Sequence, residues 1–261
     1  MINTRDASAV RRIAVTLDAL DISIVALDQA ARLARHMGAQ LEGIFVEDID
    51  LLQLAELPFL REVRRSSRSV EAMNPARMEQ EFRVLARRAE RLLGEQAARH
   101  HVTWSFRVWR GSIDSDLLAD AMEVDVLALT RLGSVLARSP VARPGCGAIA
   151  VLYEGGNSAA RALDTAASLA AEQQARLNIL LPVVQGLDTE VLRQEAALHL
   201  GEQAGAAQFI QMPDDSLPAL LEALAGTGSA ALILQRDHEL LQTPTLRLCL
   251  NSLNCPVLVV H

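Results

Sequence analysis

The sequence predicts an α/β protein built as two tandem units, each a parallel sheet with helices on both faces. Three observations lead there. The stretch AIAVLYEGGNSAARALDTAASLAA at 148–171 lies without gaps on RIAVTLDALDISIVALDQAARLAR at 12–35, with ten of twenty-four letters identical. An internal match spaced at about half of a 261-residue chain favours two ordinary domains over one large one. Short β-branched runs alternate with segments of helical period, the pattern of parallel strands buried under helices. Half the residues are apolar while aromatics make up 3%, so the cores are filled by Leu, Val, Ile and Ala.

The first copy opens with RRIAVTL at 11–17, a short strand. Ile22, Val25, Ala26, Ala30, Leu33 and Met37 then recur at helical spacing, and Gly38 follows where a helix ends in left-handed geometry. LEGIFVED at 41–48 is a second strand, VTWSFRVW at 102–109 a third, LLADAMEV a short helix and DVLALT at 125–130 a fourth strand. Trp104 and Trp109 stand five positions apart on strand three and so face opposite sides of the sheet.

A helical insertion at 49–101 separates strands two and three. Its first pattern, DLLQLAELPFLREV, is apolar over much of its circumference and contains the apolar helix 51–60, which packs either on its own domain or on a protein partner. Its second follows Asn74-Pro75, where Pro suits a first helical turn, with Met78, Phe82, Leu85, Ala89 and Leu92 at steps of four and three. Between them, REVRRSSRS reads as a solvated basic linker.

The second copy is leaner: strand 148–153, helix 158–174, strand LNILLPV, helix 189–203, strand AQFIQM, helix 216–225, strand AALILQ, helix 239–253 and terminal strand PVLVV at 256–260. Copy one has only RLGSVLARSPVARPGCG after its fourth strand, with no apolar strand in it, so its fifth strand is expected to be missing. The domains are drawn at 1–139 and 148–261, with a linker over 140–147.

Formal charge and motif content exclude several function classes. The charge of −7 gives no net positive field to draw in nucleic acid or anionic membrane, and every one of the 25 basic residues is Arg. No apolar run reaches the length of a membrane span, the start lacks a signal-peptide core, and Cys146, Cys249 and Cys255 form no C-x-x-C pair, so a cytoplasmic protein is expected. There is no G-x-G-x-x-G after a strand, no G-x-S-x-G, no phosphate-binding lysine loop and no histidine spacing for a metal. His100-His101 sits where a helix ends and its donors suit that position. No catalytic residues, no metal and no enzyme activity are expected.

The paired openings RIAVTLDA and AIAVLYEGG, the long helix before strand three, FVEDIDLLQLAELPFLREV and the closing CPVLVV together resemble a tandem universal stress protein over nearly the whole chain. The resemblance implies a doubly wound sheet of order 3-2-1-4-5 in each domain, a ligand crevice between strands one and four, and either ATP binding or assembly through strand five. The family cradle after strand four is Gly, two residues, Gly, nine residues, then Gly-Ser or Gly-Thr. Gly133-Ser134 matches only its end; Asp18 stands at the strand-one Asp, and Phe45-Val46 where strand two would approach an adenine. The resemblance therefore assigns Asp18, Val46, Gly133 and Ser134 to any nucleotide that binds.

The same positions also fit plain structural roles, Asp18 as a solvated residue at a strand end and Gly133-Ser134 as a loop-to-helix junction. Copy two has Glu154 for the Asp and LILQRDHELLQTPT without a glycine, although its Gly155-Gly156 turn could accept an anion at a helix start. ATP binding in the family manner is not expected in either copy. The expected role is regulatory or scaffolding, through protein contacts and a homodimer paired along 256–260, with a nucleotide or small-anion sensor as the alternative.

Overall fold

The computed structural model describes residues 10–18, 22, 24–49, 53, 61–63, 70–72, 75–111, 124–129, 147–183, 188–241, 250, 252–253 and 255–261. The first half supplies β1 (Arg12–Asp18), helix α1 (Ile24–Met37), β2 (Gln40–Asp48), a short pair β3 (Arg61–Val63) and β4 (Val70–Ala72), helix α2 (Pro75–His100), β5 (Trp104–Gly111) and β6 (Val126–Leu129). The second supplies β7 (Ala148–Leu152), α3 (Gly156–Gln173), β8 (Leu177–Pro182), α4 (Thr189–Leu200), β9 (Ala207–Met212), α5 (Leu217–Thr227), β10 (Ser229–Gln235) and β11 (Val257–Val260).

All strands but β3 and β4 join in one nine-stranded sheet of order β5-β2-β1-β6-β11-β10-β7-β8-β9. The second half reads 3-2-1-4-5 from its outer edge inward, and the first reads 3-2-1-4. Within each half the pairs are parallel; β6 and β11 alone run antiparallel, Leu129 opposite Val257 and Val126 opposite Val260. Both edges of β6 are thus occupied, by β1 and by β11, and no strand of its own half can lie in the fifth place.

This arrangement corrects the expected assembly. The terminal strand pairs with β10 on one side and with β6 of the same chain on the other, so it offers no edge to a second chain for a homodimer along 256–260. The physical reason is the one that suggested a dimer: an open edge is a hazard that must be covered. Here the missing strand of one half leaves room for the surplus edge of the other.

The strand sequences follow from position in the sheet. The inner strands β6, β7 and β11 are buried along their whole length, which is why VLAL, AIAVL and VLVV do not alternate. The outer strand β5 instead has no fully buried residue. One face is covered by α1, α2, α3 and α4, with Leu27, Leu93, Leu163 and Ala196 in a single core running through both halves. The other face carries α5 together with Leu240, Leu250 and Leu253. Trp104 packs over Gly94 of α2, where an added Cβ would lie 3.0 Å from the indole, and Trp109 packs on the opposite face.

Helix limits obey local chemistry. Pro75 opens α2, whose Phe82, Ala86, Ala89, Leu93 and Ala97 are buried one turn apart. Ser216 caps α5 by accepting from the Ala219 amide, and left-handed Gly228 closes it. The expected helix over 50–63 is corrected at its end, because Arg61–Val63 is a strand antiparallel to Val70–Ala72. Apart from Gln53, the apolar segment 51–60 lies outside the described residues, as do the basic residues 64–69, the helix LLADAMEV up to Val124 and the linker 140–147 but for Gly147. Among the described residues no helix is long and apolar enough to cross a membrane.

Candidate functional site

In an open α/β sheet the ligand crevice lies beyond the carboxyl ends of the strands where the winding reverses. Here there are two such points, between β1 and β6 and between β7 and β10.

In the first crevice, the buried Thr16 hydroxyl donates to the Ala128 carbonyl at 3.3 Å, tying β1 to β6 just before the strands end. Asp18 is the last residue of β1 and stands in register with Val46 of β2, so these two candidates are brought side by side. Val46 is closed off within the core face and 1% exposed. Glu47 beside it is buried and takes the Arg110 guanidinium at 2.9 Å. Gly133 and Ser134 lie outside the described residues.

At the second crevice the chain's own side chains contact one another. Glu154, two residues past the end of β7, accepts from the Gln235 amide at 2.9 Å with one carboxylate oxygen. Its other oxygen lies 3.4 Å from Nε2 of His238, a ring that is almost fully buried. Nδ1 of that ring accepts from the Leu240 amide at 3.0 Å, while its buried Nε2 makes no hydrogen bond among the described residues.

The glycine turn beside it is equally committed. Gly155 and Gly156 both have positive φ, +84° and +82°, and an added Cβ on Gly155 would meet Leu192 Cδ2 at 2.9 Å. The turn opens α3, and the Gly156 amide at its N-terminus donates to Glu195 Oε1 at 3.3 Å. A carboxylate of the chain therefore sits where the helix start would attract a phosphate. Tyr153, fully buried next to this turn, has its phenol pushed above the ordinary range by burial and then by the Glu195 carboxylate. The phenol stays protonated at neutral pH. Among the described residues no cluster of three or more His, Cys, Asp or Glu is arranged for a metal ion.

Sequence reasoning missed a pair that the duplication repeats. His100, at the end of α2, places Nε2 2.8 Å from Asp28 Oδ1 on α1. His199, near the end of α4, places Nε2 2.8 Å from Asp164 Oδ1 on α3. Asp28 and Asp164 coincide in the internal match, and each histidine sits in the last turn of the helix before strand three of its half. Asp28 also holds Arg32 at 2.8 Å. Burial opposes ionisation of Asp28, but the His100 and Arg32 bonds outweigh it and keep the carboxyl below its usual range.

Among solved structures, a universal stress protein from Archaeoglobus fulgidus DSM 4304 superposes with a TM-score of 0.54 at 12% identity, covering 95% of each chain. The chain has the universal-stress-protein fold. A functionally unknown protein from Pseudomonas aeruginosa PAO1 superposes at 0.52 with 15% identity, covering 97% of this chain and 93% of its own. A further putative universal stress protein, from Pseudomonas aeruginosa UCBPP-PA14, superposes at 0.51 with 15% identity over 97% and 94%. At these identities the likeness concerns the fold. No protein-family model and no curated protein sequence matches the chain.

Proposed function

We propose that this chain is a non-enzymatic, regulatory or scaffolding protein of the universal-stress type that acts through protein contacts and does not hold ATP in the family manner. One observation carries the reading: at the second crevice Glu154 is bonded to Gln235 and lies 3.4 Å from His238, and Glu195 accepts from the Gly156 amide. Two carboxylates oppose a triphosphate, and the first helical amide is already satisfied. The apolar segment 51–60 is the part of the sequence best suited to a protein partner, and the unpaired cysteine pattern suits the cytoplasm.

A second reading is favoured by the register that sets Asp18 beside Val46 at the carboxyl ends of β1 and β2. In it, the first half senses a nucleotide or small anion through Asp18, Val46, Gly133 and Ser134. Native mass spectrometry of freshly purified protein separates the two. The proposed function expects the bare chain mass; a retained adenine nucleotide supports the sensor.

A further inference from the structure

The seam between the halves holds a half-open cavity of about 310 Å3, and its Val260 stands in register with Gln235 at the margin of the second crevice. Its floor is apolar and comes from both halves, with Val10 and Met37 from the first and Val260 from the second. Its polar wall is one side of α3, where Arg161, Asp164 and Ser168 follow at steps of three and four. Asp125, just before β6, completes the lining together with Thr165, Ala167 and Gln203.

The internal duplication shows what is unusual about that wall. The positions of Arg161, Asp164 and Ser168 correspond to Val25, Asp28 and Arg32 in the first half. There the cation lies one turn after the acid and is bonded to it, and the charges cancel locally. In the second half the acid keeps its histidine, but Ser168 replaces the bonded arginine and the cation moves to Arg161. Among the described residues Arg161 has no ion-pair partner, although it borders a cavity that also exposes two carboxylates. Asp125 spends one oxygen on the Arg11 and Arg12 amides, at 2.7 and 2.9 Å, and its other oxygen makes no hydrogen bond among the described residues.

We propose that the seam cavity binds an amino-acid-sized zwitterion with an apolar side chain. Its carboxylate pairs with Arg161, its ammonium is held by the Asp164 and Asp125 carboxylates, and its side chain rests on Met37 and Val260. A dianion would meet two acids, and a simple cation would leave Arg161 unmatched. The volume lies at the small end of ligand pockets, roughly 300–1,000 Å3, and the junction of two units is where such pockets are common. The inference goes beyond the proposed function and does not rest on it, because none of Glu154, Gln235, His238 and Glu195 lines the seam cavity.

The test is calorimetric titration of the full chain with L-methionine, L-leucine and L-valine, and with two truncated probes. These are 3-(methylthio)propylamine, which lacks the carboxylate, and 4-(methylthio)butanoate, which lacks the ammonium. Saturable binding of at least one amino acid is expected, weakened about tenfold or more by loss of either charged group and by Arg161→Gln or Asp164→Asn. Both variants alter exposed side chains, and unchanged thermal melts would show that they fold. The proposal is overturned if none of the three amino acids binds at about 10 mM. It is equally overturned if the truncated probes bind as well as the parent, or if Arg161→Gln leaves the affinity unchanged.

Discussion

Asp28 and Asp164 make the same bond to a histidine in different surroundings, and the difference has energetic consequences. The first pair has side chains 20% and 10% exposed; the second is at 54% and 35%. Hydrogen bonds to charged groups contribute about 1.5–3 kcal/mol when sheltered, whereas exposed ion pairs contribute about 0–1 kcal/mol. Asp28→Asn is therefore expected to cost about 1–3 kcal/mol in urea unfolding, and Asp164→Asn less than about 1 kcal/mol. Because the folded-state pKa of Asp28 lies below its unfolded value, its contribution is complete above the unfolded value and is lost as pH falls through the folded one. The stability gap between wild type and Asp28→Asn should accordingly narrow under acid, not at neutral pH. Asn178 shows the opposite case: it is fully buried on β8, and among the described residues neither end of its amide has a hydrogen-bond partner. Asn178→Val is expected to raise the melting temperature, since it removes an unsatisfied buried amide of comparable size. The aspartates were legible as matched letters in the repeat. Their partners were not, because 72 and 35 residues of chain separate the bonded groups.

At the scale of elements, most strands and helices follow from local pattern. Pro75, Gly38 and the capping Ser216 mark boundaries by rules that act within a few residues. That the first half supplies no strand to the fifth place was also expected, because RLGSVLARSPVARPGCG holds no continuous apolar strand. What covers the resulting edge was not readable. PVLVV is equally apolar whether it meets a second chain or β6, and only the register of β11 against β6 distinguishes them. The short pair β3–β4 escaped for a related reason: three-residue strands are too brief to show a period. The pairing of β11 predicts how it fails. Val257 and Val259 are fully buried between two strands and under a core face. The double variant Val257→Lys/Val259→Lys should lose cooperative thermal unfolding, because two unpaired buried charges cost several kcal/mol each. A variant that instead melts like wild type while halving its mass in solution would restore dimer pairing through this strand.

For the whole molecule, two sets of strands, ordered 3-2-1-4 and 3-2-1-4-5, meet in one sheet. Four strands from one half and five from the other close a shared sheet, and the helices on one face form a core common to both. This predicts what separation would do. Residues 148–261 alone retain a complete 3-2-1-4-5 order but lose the neighbour of β11, leaving four buried-type residues as an open edge. Light scattering should find that fragment self-associated. A monomer stable across micromolar concentrations would mean that the seam contributes little. The crevices were only partly legible at this scale. The departure from the family's glycine spacing is a matter of letters, but the carboxylates at the second crevice come from separate elements, Glu154 after β7 and Glu195 on α4.

Equilibrium dialysis of the full chain against millimolar Mg-ATP, followed by native mass spectrometry, tests the central claim most directly. The expected outcome is the bare chain, for the wild type under conditions where an ATP-binding control protein retains its ligand. A one-to-one ATP complex surviving the same treatment would contradict it.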